Sequence, residues 1–181
     1  MATYFSDHFS GVNEDTLEPD NSVLDLTKFP EPGSHRSRLR YKRAEITRDF
    51  KTGDYVRFMQ FKSGDRIAAL YGTHTATSDG QLNIGLYETG RDHDGPAVES
   101  DIFASSHVPT SAHNHEDLYG VGYPDADLYR GSTLWKIATL QGANTWTADP
   151  MEDWDIAMWF HTGLSLQEIT IILEVYFTSG D

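Results

Sequence analysis

The sequence contains no cysteine. That excludes disulfide staples, thiolate metal sites and a cysteine nucleophile. Positive charge is scarce: 14 lysines and arginines stand against 28 aspartates and glutamates, for a formal net charge of −14. Such a balance argues against a surface that grips nucleic acid or anionic lipid as a whole, so nucleic acid is not an expected partner. No stretch approaches the ~18 consecutive apolar residues of a membrane span. The opening Met1-Ala2-Thr3-Tyr4-Phe5-Ser6 has neither the basic region nor the apolar run of a secretory leader. The Gly-x-Ser-x-Gly elbow of serine hydrolases and the Gly-x-x-x-x-Gly-Lys-Ser/Thr phosphate cradle are both missing. Carboxylates are so common that any glycosidase pair would be a chance selection. These absences leave no catalytic residue and no cofactor, and the expectation is a protein that is not an enzyme. A length of 181 residues suits one compact domain with an appendage.

The charge that is present is segregated. Residues 1–35 carry a net of −6, residues 36–51 a net of +5 and residues 88–127 a net of −8. Half of all basic residues thus occupy 16 positions. Residues 1–37 read as an extended N-terminal arm. They lack sustained periodicity, and Phe29-Pro30-Glu31-Pro32-Gly33-Ser34 is a chain of helix and sheet breakers. A solvated tail is one reading. The apolar groups Val23, Leu24, Leu26 and Phe29, with Tyr4, Phe5 and Phe9, favour the other, an arm ordered against a neighbouring subunit. Arg36, Arg38, Arg40 and Lys42 share one parity, so in an extended strand they project from one face. A row of like charge repels itself unless something anionic faces it. An acidic partner surface, a phosphate ridge and an edge strand protected from aggregation by charge are the three readings, and the first is preferred. The partner-binding candidates are therefore Val23, Leu24, Leu26, Phe29, Arg36, Arg38, Arg40 and Lys42.

From residue 38 to 181 the pattern is that of a second region, a β-sandwich domain. Period-two runs cover 38–48, 55–62, 66–75, 81–88, 155–161 and 168–178. In the last, Ile169, Ile171, Leu173, Val175 and Phe177 fall on one face. Turns at Thr52-Gly53-Asp54, Ser63-Gly64-Asp65 and Ser78-Asp79-Gly80 separate the runs. The segment 132–140 reads as a short helix capped by Ser132 and ended by Gly142. The stretch 89–127 shows no periodicity and reads as a long loop or contact surface. The expected fold is all-β: an antiparallel sandwich of jelly-roll type with one short helix and the N-terminal arm.

Two clusters have the residue types of a metal site but the wrong spacing. His113 and His115 would face the same way on a strand, yet no acid stands three or four residues beyond His115. Asp92-His93-Asp94-Gly95, followed by Glu99, lacks the third acid and the spacing of a calcium loop. No metal is expected at either, and chelators should change neither folding nor assembly. Trp135, Trp146, Trp154 and Trp159 read as core or interface fillers, with a sugar platform as the alternative.

The order of short elements is also informative. Phe61-Lys62-Ser63-Gly64-Asp65-Arg66-Ile67 leads to Leu82-Asn83-Ile84-Gly85-Leu86-Tyr87 and then to Asp101-Ile102-Phe103-Ala104. Leu134-Trp135-Lys136, Asp149-Pro150, Asp155-Ile156-Ala157-Met158 and Glu168-Ile169-Thr170-Ile171 follow. Over residues 38–181 this resembles small structural proteins of tailed bacteriophages, among them capsid decoration or cement proteins. The resemblance implies a virion protein on the outer capsid surface. It would bind the major capsid protein, tie neighbouring capsid subunits together and self-associate, with a trimer expected. It brings no catalytic residue. The alternative is a carbohydrate- or receptor-binding sandwich module of a head or tail fibre, for which Trp146, Trp154 or Trp159 would stand exposed in a concave row.

Overall fold

A computed structural model of the chain describes residues 3–5, 39–76, 80–109, 112–121, 130–141 and 144–179. It is a mostly antiparallel β-fold in two sheets with one short helix. The strand with the cleanest alternation, β9 (Gln167–Thr178), runs through the middle of a four-stranded sheet. Its neighbours are β2 (Leu39–Phe50) and β4 (Arg66–His74), with β7 (His113–Asp117) beyond β4 at the edge. Ile169, Ile171, Leu173, Val175 and Phe177 all point inward and are buried, while the residues between them are partly wetted. The second sheet has the order β1 (Thr3–Phe5), β3 (Tyr55–Lys62), β8 (Asp153–Thr162), β5 (Gln81–Glu88) and β6 (Ala97–His107). Among the pairings of these described strands, only β1–β3 is parallel. Thr3, Tyr4 and Phe5 therefore pair with Tyr55, Val56 and Arg57 of their own chain, so this piece of the N-terminal segment lies on its own sandwich rather than on a neighbour.

The inner faces meet through Phe50 stacked on Phe160 at 5.1 Å and Phe61 edge-on to Phe177 at 4.9 Å. Two turns that carry the chain from one sheet to the other, β2 to β3 and β3 to β4, repeat one device. Asp54 accepts the Lys51 backbone N–H at 3.0 Å, and Asp65 accepts that of Lys62 at 2.9 Å. Each carboxylate thus closes a Lys-Thr/Ser-Gly-Asp turn from within.

The turn at 63–65 also anchors the C-terminal half. The helix α1 (Leu134–Gln141) presents its first N–H groups to that turn: Leu134 to the Asp65 carbonyl at 2.8 Å and Trp135 to the Ser63 carbonyl at 3.0 Å. The expected cap at Ser132 is thus replaced by backbone carbonyls of the turn between β3 and β4, with Thr133 accepting the first intrahelical bonds. Gly142 lies outside the described residues. The Ser63 hydroxyl donates to Asp149, which also accepts the Met151 N–H at 2.9 Å. The Leu-Trp and Asp-Pro elements both converge on this one turn and serve the architecture.

The stretch 89–127 holds two strands that periodicity did not reveal. In β6 the run Ile102-Phe103-Ala104 is buried without alternation, and its pairing with β5 shifts register three times. β7 reads His-Asn-His-Glu-Asp and has no apolar face to detect.

Candidate functional site

Val23, Leu24, Leu26, Phe29, Arg36 and Arg38 lie outside the described residues. Arg40 is exposed near the start of β2. Lys42 shares its parity, which is the parity of the buried Ala44, Ile46 and Phe50, so its side chain enters the sandwich. Its ammonium donates to the Gln60 carbonyl and lies 4.3 Å from the Phe61 ring centre and 5.3 Å from that of Phe177. Lys42 is therefore held by the molecule's own interior and does not extend an exposed basic ridge.

Burial lowers the Lys42 pKa from 10.5 to about 8, against the pull of Asp65. Between those values the unfolded chain binds more protons than the folded one, so stability rises with pH across that window. Urea midpoints from pH 8 to pH 10.5 should show this as a gain of roughly 1–3 kcal/mol relative to Lys42→Met. Parallel profiles for the two proteins would place the ammonium in water.

The outer face of the four-stranded sheet is a polar and aromatic surface. Tyr41 donates to Glu174 at 2.5 Å, and His115 Nδ1 donates to the other Glu174 oxygen at 3.0 Å. The His115 ring stacks on Tyr71 at 4.0 Å, and Tyr176 packs against both Tyr41 and Tyr71. Burial alone would raise the Glu174 carboxyl. The Tyr41 and His115 bonds outweigh it and hold the pKa below the ordinary value.

A buried ionic network fastens the loop between β5 and β6 to β3 and β8 of the same sheet. Asp155 is wholly buried and accepts Arg57 Nη1 at 3.3 Å, His93 Nδ1 at 3.0 Å and the Thr89 hydroxyl at 2.9 Å. Arg57 also donates to the Gly95 carbonyl at 2.7 Å and to that of Glu88 at 3.2 Å. The Asp92–Gly95 turn is thus pinned through His93 and the Gly95 carbonyl.

His113 and His115 do not come together. Between Gly72 and His74 the register with β7 shifts by one residue, and His115 takes a positive φ of 60°. This bulge breaks the alternation. It turns His115 outward to Glu174 and leaves His113 on the side of Glu116. There the inward His74 of β4 and His107 at the end of β6 complete a cluster. His74 Nε2, His107 Nε2 and His113 Nδ1 lie 3.2, 3.5 and 3.8 Å from Glu116 Oε2. Sequence spacing drew attention to His113 and His115; His74 is 42 residues from Glu116 in the chain and is brought in by strand pairing.

Trp154 is fully buried with Trp146 packed against it at 5.3 Å, and Trp159 stacks on Tyr55 at 5.6 Å. Of the three tryptophans named for a sugar platform, Trp154 is thus buried, while Trp146 and Trp159 are part-exposed.

No family model matches the chain, and no curated protein matches it in sequence. Its fold is similar to that of a chain in the capsid of Ralstonia phage GP4, with a TM-score of 0.57 and 10% identity over 99% of both chains. A chain of the cyanophage Pam1 capsid asymmetric unit aligns over 87% of this chain and 99% of its own, with a TM-score of 0.45 and 7% identity.

Proposed function

We propose that this protein is a non-enzymatic structural component of a tailed-phage virion, a decoration or cement protein of the outer capsid surface. The observation that carries this reading is the end-to-end likeness of fold to a chain of a phage capsid, with neither chain leaving a domain over. The strand order supports it. Apart from β1, the order β2-β9-β4-β7 faces β3-β8-β5-β6, which we read as a jelly roll, an architecture frequent in capsid proteins. Such a protein binds the major capsid protein, bridges neighbouring capsid subunits and meets its own copies, as a trimer in this reading. Attachment falls to residues 1–43, where an acidic arm precedes a basic strand. The anchors are Val23, Leu24, Leu26 and Phe29 with Arg36, Arg38 and Arg40.

Co-sedimentation with capsids lacking the protein tests this. The buried core is built from residues 44–177, so deleting residues 1–30 should leave a folded domain that no longer sediments with capsids. Changing Arg38 and Arg40 to Glu should weaken sedimentation and reduce its salt dependence. Unchanged binding by both variants moves the contact elsewhere, first to 106–130. Failure of the full chain to bind capsids, together with retention on a glycan array, would replace cement with a fibre module.

A further inference from the structure

We propose that His74, His107 and Glu116 form a divalent-metal site, with zinc the ion their donor atoms suit, and that the ion ties the two sheets together at one end of the sandwich. Nothing in this inference rests on the capsid reading.

The first support is the state of the donors. His74 Nδ1 faces the Thr75 carbonyl at 3.2 Å. A carbonyl can only accept, so this nitrogen carries the proton and Nε2 carries the lone pair. A backbone carbonyl on the far nitrogen is also the usual way a ligating histidine is oriented. That lone pair points at a carboxylate oxygen 3.2 Å away. Two lone pairs at this distance repel unless the ring takes a second proton or a cation stands between them. His107 adds a second nitrogen: its Nε2 is buried, lies 3.5 Å from the same oxygen and makes no hydrogen bond. One extra proton would serve a single ring, whereas one metal ion serves both rings and the carboxylate.

The second support is spacing. Donors about 2.0–2.2 Å from a tetrahedral ion stand about 3.3–3.6 Å from one another. The two nitrogens lie 3.2 and 3.5 Å from Glu116 Oε2, and all three donor atoms lie within 4.8 Å of each other. His113, with Nδ1 at 3.8 Å from that oxygen, is the nearest side chain for a fourth position. Two or three imidazoles with one carboxylate suit zinc rather than calcium or magnesium, which take oxygen.

The third support is placement. Leu82, Met158, Phe160 and Ile171 wall a cavity beside the histidines, so the donors face little competing water. His107 belongs to the five-stranded sheet, while His74 and Glu116 belong to the four-stranded one. An ion here does for a chain without cysteine what a disulfide does elsewhere.

The test uses untagged full-length protein, stripped with chelator and titrated with zinc chloride by calorimetry and thermal melting. One ion should bind per chain, and the melting temperature should rise by several degrees. Cobalt in its place should give the visible band of a tetrahedral ion. His107→Ala should weaken binding by more than the roughly 10–100-fold that losing a mere supporting partner costs. Glu116→Gln, at a part-exposed position that tolerates change, should do the same if the His107 variant fails to fold. His115→Ala should bind like the parent, since that ring faces Glu174. Absence of binding by the parent would overturn the proposal and leave only a direct contact between His74 and Glu116. Binding that survives both His107→Ala and Glu116→Gln would overturn it equally, by moving the ion to surface histidines.

Discussion

Asp155→Ala should destabilise the fold by about 3–5 kcal/mol, because it strands a buried guanidinium. Arg57 has a side chain only 5% exposed, and Asp155 is its only anionic partner within hydrogen-bond reach among the described residues. Without the carboxylate, Arg57 keeps two carbonyls and the Tyr87 ring face at 4.7 Å. These groups solvate a charge but do not neutralise it. His93 and Thr89 lose their acceptor in the same step. Asp155→Asn should cost less, since one amide oxygen still accepts a bond. The double variant Arg57→Met with Asp155→Leu should recover much of the loss, since apolar groups of similar volume need no partner. Urea denaturation of the four proteins measures this. Limited trypsin digestion adds a local readout: cleavage after the exposed Arg91 should accelerate in Asp155→Ala, whose loop has lost its fastening. A loss below about 1 kcal/mol would mean that water reaches the network.

Leu173→Ala should cost about 2–5 kcal/mol, and Ile172→Thr on the opposite face of the same strand less than about 1 kcal/mol. Leu173 is wholly buried at the centre of the four-stranded sheet, paired with Ala44 on one side and Gly72 on the other. Neither small neighbour can swing in to fill the void. Gly72 itself is packed against Leu118, whose Cδ1 lies 2.3 Å from where a Cβ would stand. The site is thus framed by groups already in contact, which favours the upper part of the range. Equal costs at both positions would mean that the strand is buried on both faces.

The period-two runs at 38–48, 55–62, 66–75, 81–88, 155–161 and 168–178 correspond to six of the nine strands among the described residues, and the helix begins within two residues of its expected start. The three strands that escaped notice share a cause. β1 is only three residues long, β7 is polar throughout, and β6 loses its alternation where its register with β5 shifts. Hydropathy sees a strand most readily when apolar and polar or small residues alternate over five or more positions. The candidate site was less legible. Metal binding at the histidines was set aside on the spacing of His113 and His115, and those two residues part company.

Some properties were settled by the chain itself: the β-class, the turns closed by Asp54 and Asp65, the inward row of β9 and the absence of thiol chemistry. Each depends on a few adjacent residues, because side-chain alternation and turn geometry are local consequences of φ and ψ. Other properties depend on register between distant strands. One extra residue in β7 reverses the faces of His113 and His115 relative to each other. Pairing along β4 and the approach of the two sheets bring His74 and His107 to Glu116. The parity that aligns Lys42 with Arg40 was readable in the sequence. Only the packing of the second sheet decided that this face is the inner one, where burial lowers the pKa of the ammonium and two aromatic rings hold it.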